Sequence, residues 1–96
     1  MYAVAFDIDT ECLSNNYGTP SSQNAYGDIK KFMLANHFTW QQGSVYFGDN
    51  TITAVTCVVT VQRLAAQFPW FATCVKDVRM LRIEENNDLM PAIAIR

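Results

Sequence analysis

Thr51-Ile52-Thr53-Ala54-Val55-Thr56-Cys57-Val58-Val59-Thr60-Val61-Gln62-Arg63-Leu64-Ala65-Ala66-Gln67 is the stretch on which the fold turns. Its Ile52 to Val61 half is rich in β-branched residues and has strand propensity, whereas Arg63-Leu64-Ala65-Ala66, the Gly48-Asp49-Asn50 cap signal before it and the Phe68-Pro69 stop after it favour a helix. An unbroken run from 51 to 67 exceeds the usual length of a strand and suits a helix, so length decides for helix. A helix here makes the chain an alternation of strands and helices; a strand would make it mostly β.

Working outward, Phe38 to Gln41 and Ser44 to Phe47 are short β-prone runs divided by Gln42-Gly43, a tight hairpin or one strand broken by a bulge. Before them, Ala25, Ile29, Phe32 and Met33 recur at helical spacing, with Thr19 as cap, Pro20 at the first position, Lys30 and Lys31 towards the end and Asn36 as stop. Tyr2 to Ile8 alternates as a strand, apolar on both faces until Asp7, and Asp9 to Pro20 breaks into a predicted loop. On the other side, Pro69-Trp70-Phe71 opens a connector, Val75 to Ile83 is the last major strand, and Glu84 to Asp88 is a polar turn. Ala92-Ile93-Ala94-Ile95 could add to a sheet edge.

The order β, α, β, β, α, β predicts an α+β fold, a ferredoxin-like sandwich with both helices on one face of an antiparallel sheet, because right-handed crossovers place them there. Residues 1–96 read as one domain. The sheet's second face is left for something else, and a homodimer is expected to cover it. Composition agrees: of 96 residues 50% are hydrophobic and only 17% charged, a thin polar cover for a small core.

Met1 runs straight into a strand pattern without a secretory leader, and no apolar run approaches the ~20 residues that cross a bilayer, so a cytoplasmic protein with no membrane partner is expected. Cys12, Cys57 and Cys74 form no C-x-x-C pair and read as reduced thiols, Cys57 as a buried hydrophobe. A net charge of −2 disfavours diffuse capture of nucleic acid, so any polyanion site must be a local cluster.

Asp7 is the residue that most needs an explanation, since an acid ending a two-sided apolar strand is costly unless answered. It is either a structural carboxylate paired with Arg79 or Arg82, or a functional one. If the open face is a dimer face, two copies of Asp7 meet across the dyad and could hold a divalent cation such as Mg²⁺ between them, or share a proton. Lys76, Arg79 and Arg82, with Arg63 near in sequence, are the one basic concentration, readable as phosphate ligands or as ordinary surface charge; Asp77 is a second candidate acid or their ion-pair partner. Asp7-Ile8-Asp9-Thr10 also opens haloacid-dehalogenase phosphatases, but the chain is too short for that fold, leaving Asp9 and Glu11 as solvated loop residues. The lone His37 reads as structural, no phosphate-cradling loop or zinc cluster is present, and Val75 to Ile83 lacks the aromatics of an RNA-recognition sheet. Trp40, Trp70 and Phe71 read as core or interface.

Met1-Tyr2-Ala3-Val4-Ala5-Phe6-Asp7, Ala25-Tyr26-Gly27-Asp28-Ile29, Gln42-Gly43-Ser44-Val45-Tyr46 and Val75-Lys76-Asp77-Val78-Arg79-Met80-Leu81-Arg82-Ile83-Glu84 together resemble the bacterial virulence-associated protein D (VapD) family, across nearly the whole chain and in order. More distantly, the strand-end aspartate, the Gln-x-Ser-Val segment and the Asp-Val-Arg strand resemble the small CRISPR-associated endoribonucleases of ferredoxin-like fold. The resemblance implies a homodimeric endoribonuclease, in several relatives the toxin of a toxin–antitoxin pair, with an antitoxin protein as partner. It implies Asp7 as the leading catalytic residue, Ser44 against the scissile phosphate and Asp77 as a second acid, with Lys76, Arg79 and Arg82 on RNA phosphates. Asp7 would act as a base or through Mg²⁺, and the residues leave both open. The competing class is a non-catalytic homodimeric interaction or RNA-binding module in which the acids only neutralise arginines.

Overall fold

The computed structural model describes residues 1–17 and 22–94, with the side chains of 22 and 23 left aside; the predicted Thr19 cap and Pro20 lie outside the described residues, as does Ile95. The decisive stretch is a helix. Cys57, Thr60 and Leu64 are its buried residues, one stripe at helical spacing, while Val55, Val58 and Val59 face outward. Packing of that stripe outweighs the strand propensity of the valines. Its start is later than Gly48-Asp49-Asn50: the Thr53 hydroxyl accepts the Thr56 N–H at 3.1 Å, and Asp49 instead closes a turn by accepting the Thr51 N–H at 2.8 Å.

The elements, numbered along the chain, are β1 (Tyr2–Ile8), α1 (Thr10–Asn16), α2 (Ser22–Ala35), β2 (Phe38–Gln42), β3 (Val45–Gly48), α3 (Ala54–Gln67), α4 (Pro69–Cys74), β4 (Val75–Arg82) and α5 (Met90–Ile93). The strands form one antiparallel sheet in the order β2-β3-β1-β4, the ferredoxin-like arrangement, with β1 inside and β2 and β4 at the edges. Val4, Phe6 and Ile8 of β1 enter a core shared with Ile29 and Met33 of α2, Cys57 and Leu64 of α3, and Phe71 of α4. By strand alternation Ala3, Ala5 and Asp7 lie on the opposite face, beside Val45 and Phe47 of β3 and Asp77, Arg79 and Leu81 of β4.

Helix α2 stops where the sequence says it should: Asn36 returns its side-chain amide to the Phe32 carbonyl at 2.8 Å, and His37 adopts a positive φ of 72°. The β2–β3 connection is a tight hairpin turning at Gly43 (φ 49°), with a register shift between Trp40 and Gln42.

Four expectations are corrected. Asp9 to Pro20 is not all loop, because Asp9 accepts the Glu11 and Cys12 N–H groups at 3.0 and 3.1 Å and Leu13 plugs the core, which starts α1. The Pro69 connector is helix α4, with proline in its first turn. Cys12 and Cys74 are not free thiols but a disulfide, their Cα atoms 5.4 Å apart; Cys57 is the buried free cysteine, its thiol pushed up by desolvation. Finally, Ala92 and Ile93 form no strand: after β4 the chain places Asn86 to Leu89 across a hollow from Gln41, Gln42, Val45 and Phe47, and then forms the short exposed α5. No helix among the described residues is long and apolar enough to cross a membrane.

Candidate active site

Asp7 ends the outward stripe of β1, and its side chain is exposed rather than buried, which removes the desolvation cost inferred from the apolar strand. What needs explaining is its neighbour. Asp77 of β4 stands directly opposite it in the ladder, a like-charge pair that strand geometry disfavours. The register then slips: Asp7 faces Asp77 but Ile8 faces Val75, so Lys76 is the extra residue of a β-bulge. Freed from the ladder, Lys76 brings its Nζ to 3.8 Å from Asp7 Oδ2. Arg79, opposite Ala5, donates its Nε–H to both Asp77 carboxylate oxygens at 3.1 and 3.2 Å. Two acids and two cations therefore share one end of the open face.

Several local features hold that end together. The Phe6 N–H donates to the Ser44 carbonyl at 3.1 Å, which seats Ser44 beside the residue preceding Asp7. The Asp9 N–H donates to the Cys74 carbonyl at 3.0 Å, and the Cys12–Cys74 disulfide ties α1, which follows Asp7, to the start of the strand that carries Asp77. Tyr26 of α2 is half-buried, and its phenol is pushed up first by desolvation and then by the charge of Asp7. Sequence reasoning passed over Tyr26 as a site residue, although it stands in the Ala25 to Ile29 motif; only the fold shows that α2 brings it into the field of Asp7.

Asp7, Asp77, Lys76 and Arg79 are thus brought together, Ser44 adjoins them through its backbone, and Arg82 stands apart. It lies opposite Tyr2 at the other end of β1, on the helix-facing side by alternation, and pairs with Glu84 at 3.2 Å. Arg63 sits on the helix layer, donating to Asn36 at 3.1 Å, and His37 pairs with Asp49 at 3.3 Å where β2 begins. The expected pairing of Asp7 with an arginine is replaced by Lys76, whereas Asp77 does pair with Arg79.

Among the described residues no group of three or more His, Cys, Asp or Glu converges as a metal site. Asp7 and Asp77 supply two carboxylates, each already answered by a cation, so one chain does not offer a metal cage. Chemically the arrangement can do two things: a carboxylate can take a proton, and the adjacent ammonium and guanidinium can stabilise negative charge building on a phosphoryl group.

The model of the family described as CRISPR associated protein Cas2 matches residues 1–90. The chain is 67% identical over 95 residues to an Endoribonuclease VapD homolog of Helicobacter pylori (strain ATCC 700392 / 26695), covering 99% of this chain and 98% of that protein. It is 61% identical over 94 residues to Endoribonuclease VapD 2 of Riemerella anatipestifer, covering 98% and 100%, and 36% identical over 89 residues to Endoribonuclease VapD of Dichelobacter nodosus, covering 92% and 91%.

Proposed function

The chain belongs to the CRISPR associated protein Cas2 family and to the VapD family, and from that premise we propose that it is an endoribonuclease whose cutting centre is the acid–base cluster around Asp7. The observation that carries the reading is the bulge that sets Lys76 against Asp7 while Asp77 stands opposite in the ladder. The two aspartates face to face gain the fold no more than Lys76 and Arg79 return, whereas phosphodiester chemistry uses both a proton acceptor and cations there.

In the reaction we infer, the Asp7 carboxylate accepts the proton of a ribose 2′-hydroxyl. The 2′-oxygen bonds to the adjacent phosphorus and the bond from phosphorus to the 5′-oxygen breaks. Lys76 and Arg79 offset the added negative charge, and the Lys76 ammonium returns a proton to the leaving oxygen. Ser44 contacts the phosphate, and Asp77 holds Arg79 in place. The products are a 2′,3′-cyclic phosphate and a 5′-hydroxyl. Arg82 lies too far along β4 to serve the same phosphate and would meet RNA only at a distant backbone position.

The rest of the proposal concerns the assembly. A second copy covers the part of the open face where Ala5 and Leu81 offer apolar surface, and brings two Asp7 residues towards each other. The enzyme works in the cytoplasm as the toxin of a pair and is held by an antitoxin protein. In that compartment the Cys12–Cys74 bond meets a thiol pool that favours its reduction.

The test is to incubate the purified protein with single-stranded RNA of known sequence, with and without chelator, and to identify the product ends. Cyclic phosphate formed equally in both arms supports the mechanism. Linear phosphate formed only without chelator replaces it with metal-activated water, the cation held by Asp7 and its twin. No cleavage in either arm leaves the non-catalytic RNA-binding module, a reading favoured by the neutralisation of each acid by its own cation.

A further inference from the structure

A hollow of about 780 Å³ lies between the β2–β3 hairpin and the segment that follows β4. Its walls are an unusual concentration of carboxamides, Gln41 and Gln42 from the hairpin and Asn86 and Asn87 from the returning chain, with Val45 and Phe47 as an apolar floor. No lysine or arginine lines it, and Asp88 does, so it does not suit a phosphate. The side chains of Gln41, Gln42 and Asn86 make no hydrogen bond to any described residue, and Asn87 donates one amide hydrogen to Glu85 at 2.8 Å. Free carboxamides offer a donor and an acceptor side by side, the pattern that matches the polar edge of a nucleobase, and an apolar floor suits its ring face.

The location matters as much as the lining. Val45 and Phe47 lie on the same face of the sheet as Asp7, and Val45 pairs with Ala5. One interstrand step and one same-face step along β1 separate Val45 from Asp7, about 8 Å from sheet spacings alone. Ser44, next to Val45, is hydrogen-bonded through its carbonyl to Phe6. A nucleotide whose phosphate lies at Asp7 can therefore place its base over Val45 and Phe47.

We propose that the amide-lined hollow of Gln41, Gln42, Asn86 and Asn87 reads the base of an unpaired nucleotide flanking the cleaved bond and so sets the sequence preference of the enzyme. The inference rests on the endoribonuclease reading. It also gives a role to the chain after β4, whose passage across the open face builds one wall of the site.

The test uses the full chain and a set of short single-stranded RNAs that differ only at the nucleotides flanking one cleavable bond, with kcat/KM measured for each base. The parent protein discriminates among the four bases. Gln42→Ala and Asn86→Ala each reduce that discrimination about 5- to 100-fold at one flanking position, read as the ratio of kcat/KM between bases. The inference is overturned if the parent cleaves all four alike, or if both variants keep the parent's ratios while cleaving normally. Absence of cleavage by the parent on every substrate overturns the endoribonuclease reading itself, and the inference with it. Both substitutions are at exposed positions, and a thermal melt matching the parent's identifies a folded variant; a variant that melts early is replaced by Gln42→Glu or Asn86→Asp, which keeps the shape and exchanges the amide donor for a charged acceptor.

Discussion

Asp7 and Asp77 face each other across the β1–β4 ladder, and the bulge that follows gives Lys76 to the first while Arg79 clasps the second. Like charges opposite one another in a sheet destabilise it by a few tenths of a kcal/mol to about 1 kcal/mol. Exposed ion pairs such as these return a similar amount.

The first prediction follows from that balance. Asp77→Asn removes the repulsion and Arg79's partner together, so urea unfolding is expected within about 1 kcal/mol of the parent. RNA cleavage is expected to fall at least ~10-fold as Arg79 loses its orientation. A large loss of stability would mean that Asp77 is a structural residue first.

Lys76→Gln keeps the length of the side chain and removes its charge. If Lys76 stabilises the developing phosphoryl charge, cleavage drops by about 10²-fold or more with little change in melting temperature. Salt added to the parent gives an independent check, since binding that relies on Lys76 and Arg79 weakens as ionic strength rises.

Three tyrosines contribute to the loss of stability at alkaline pH. Tyr17 is pushed up first by its hydrogen bond to Asp28, Tyr26 first by desolvation and then by Asp7, and Tyr46 by desolvation. In each the fold favours the neutral phenol, so above about pH 10 the unfolded chain gives up these protons first and the folded chain holds the greater number. The stability these three phenols contribute is therefore complete below about pH 10 and is lost as pH rises through their raised folded values, after the smaller loss that the desolvated Cys57 thiol begins at lower pH; denaturant melts across pH 8 to 11 would follow both. Asp7→Asn removes one of the charges acting on Tyr26, so ultraviolet titration of that variant should show one phenol ionising earlier.

The order of the major elements was legible because period and length carry it, even in the β-branched α3. The short helices were not: α1 depends on Asp9 folding back on two N–H groups, and α4 on a proline that looks like a breaker until it is seen in a first turn. Asp7 and Asp77 could be singled out by type, but their opposition, the bulge at Lys76 and the closeness of Ser44 depend on register, which no local pattern states. One miss was avoidable: Arg79 and Arg82 are separated by an odd step in a strand, so they point to opposite faces and cannot serve one phosphate together. The Cys12–Cys74 pair joins positions 62 residues apart and becomes visible only once α1 and α4 exist and pack together.

That long separation makes the bond a strong constraint on the unfolded chain. Reduction, or Cys12→Ser, is expected to lower stability by about 2–4 kcal/mol, read as a shift in the urea midpoint with and without a thiol reductant.

The most direct measurement compares Asp7→Asn with the parent on one labelled single-stranded RNA, in matched preparations with the same melting temperature. The account predicts cleavage by the parent and a loss of at least ~10²-fold in the variant, with RNA affinity kept or increased as a negative charge is removed. Equal cleavage by both proteins would contradict it and take Asp7 out of the reaction.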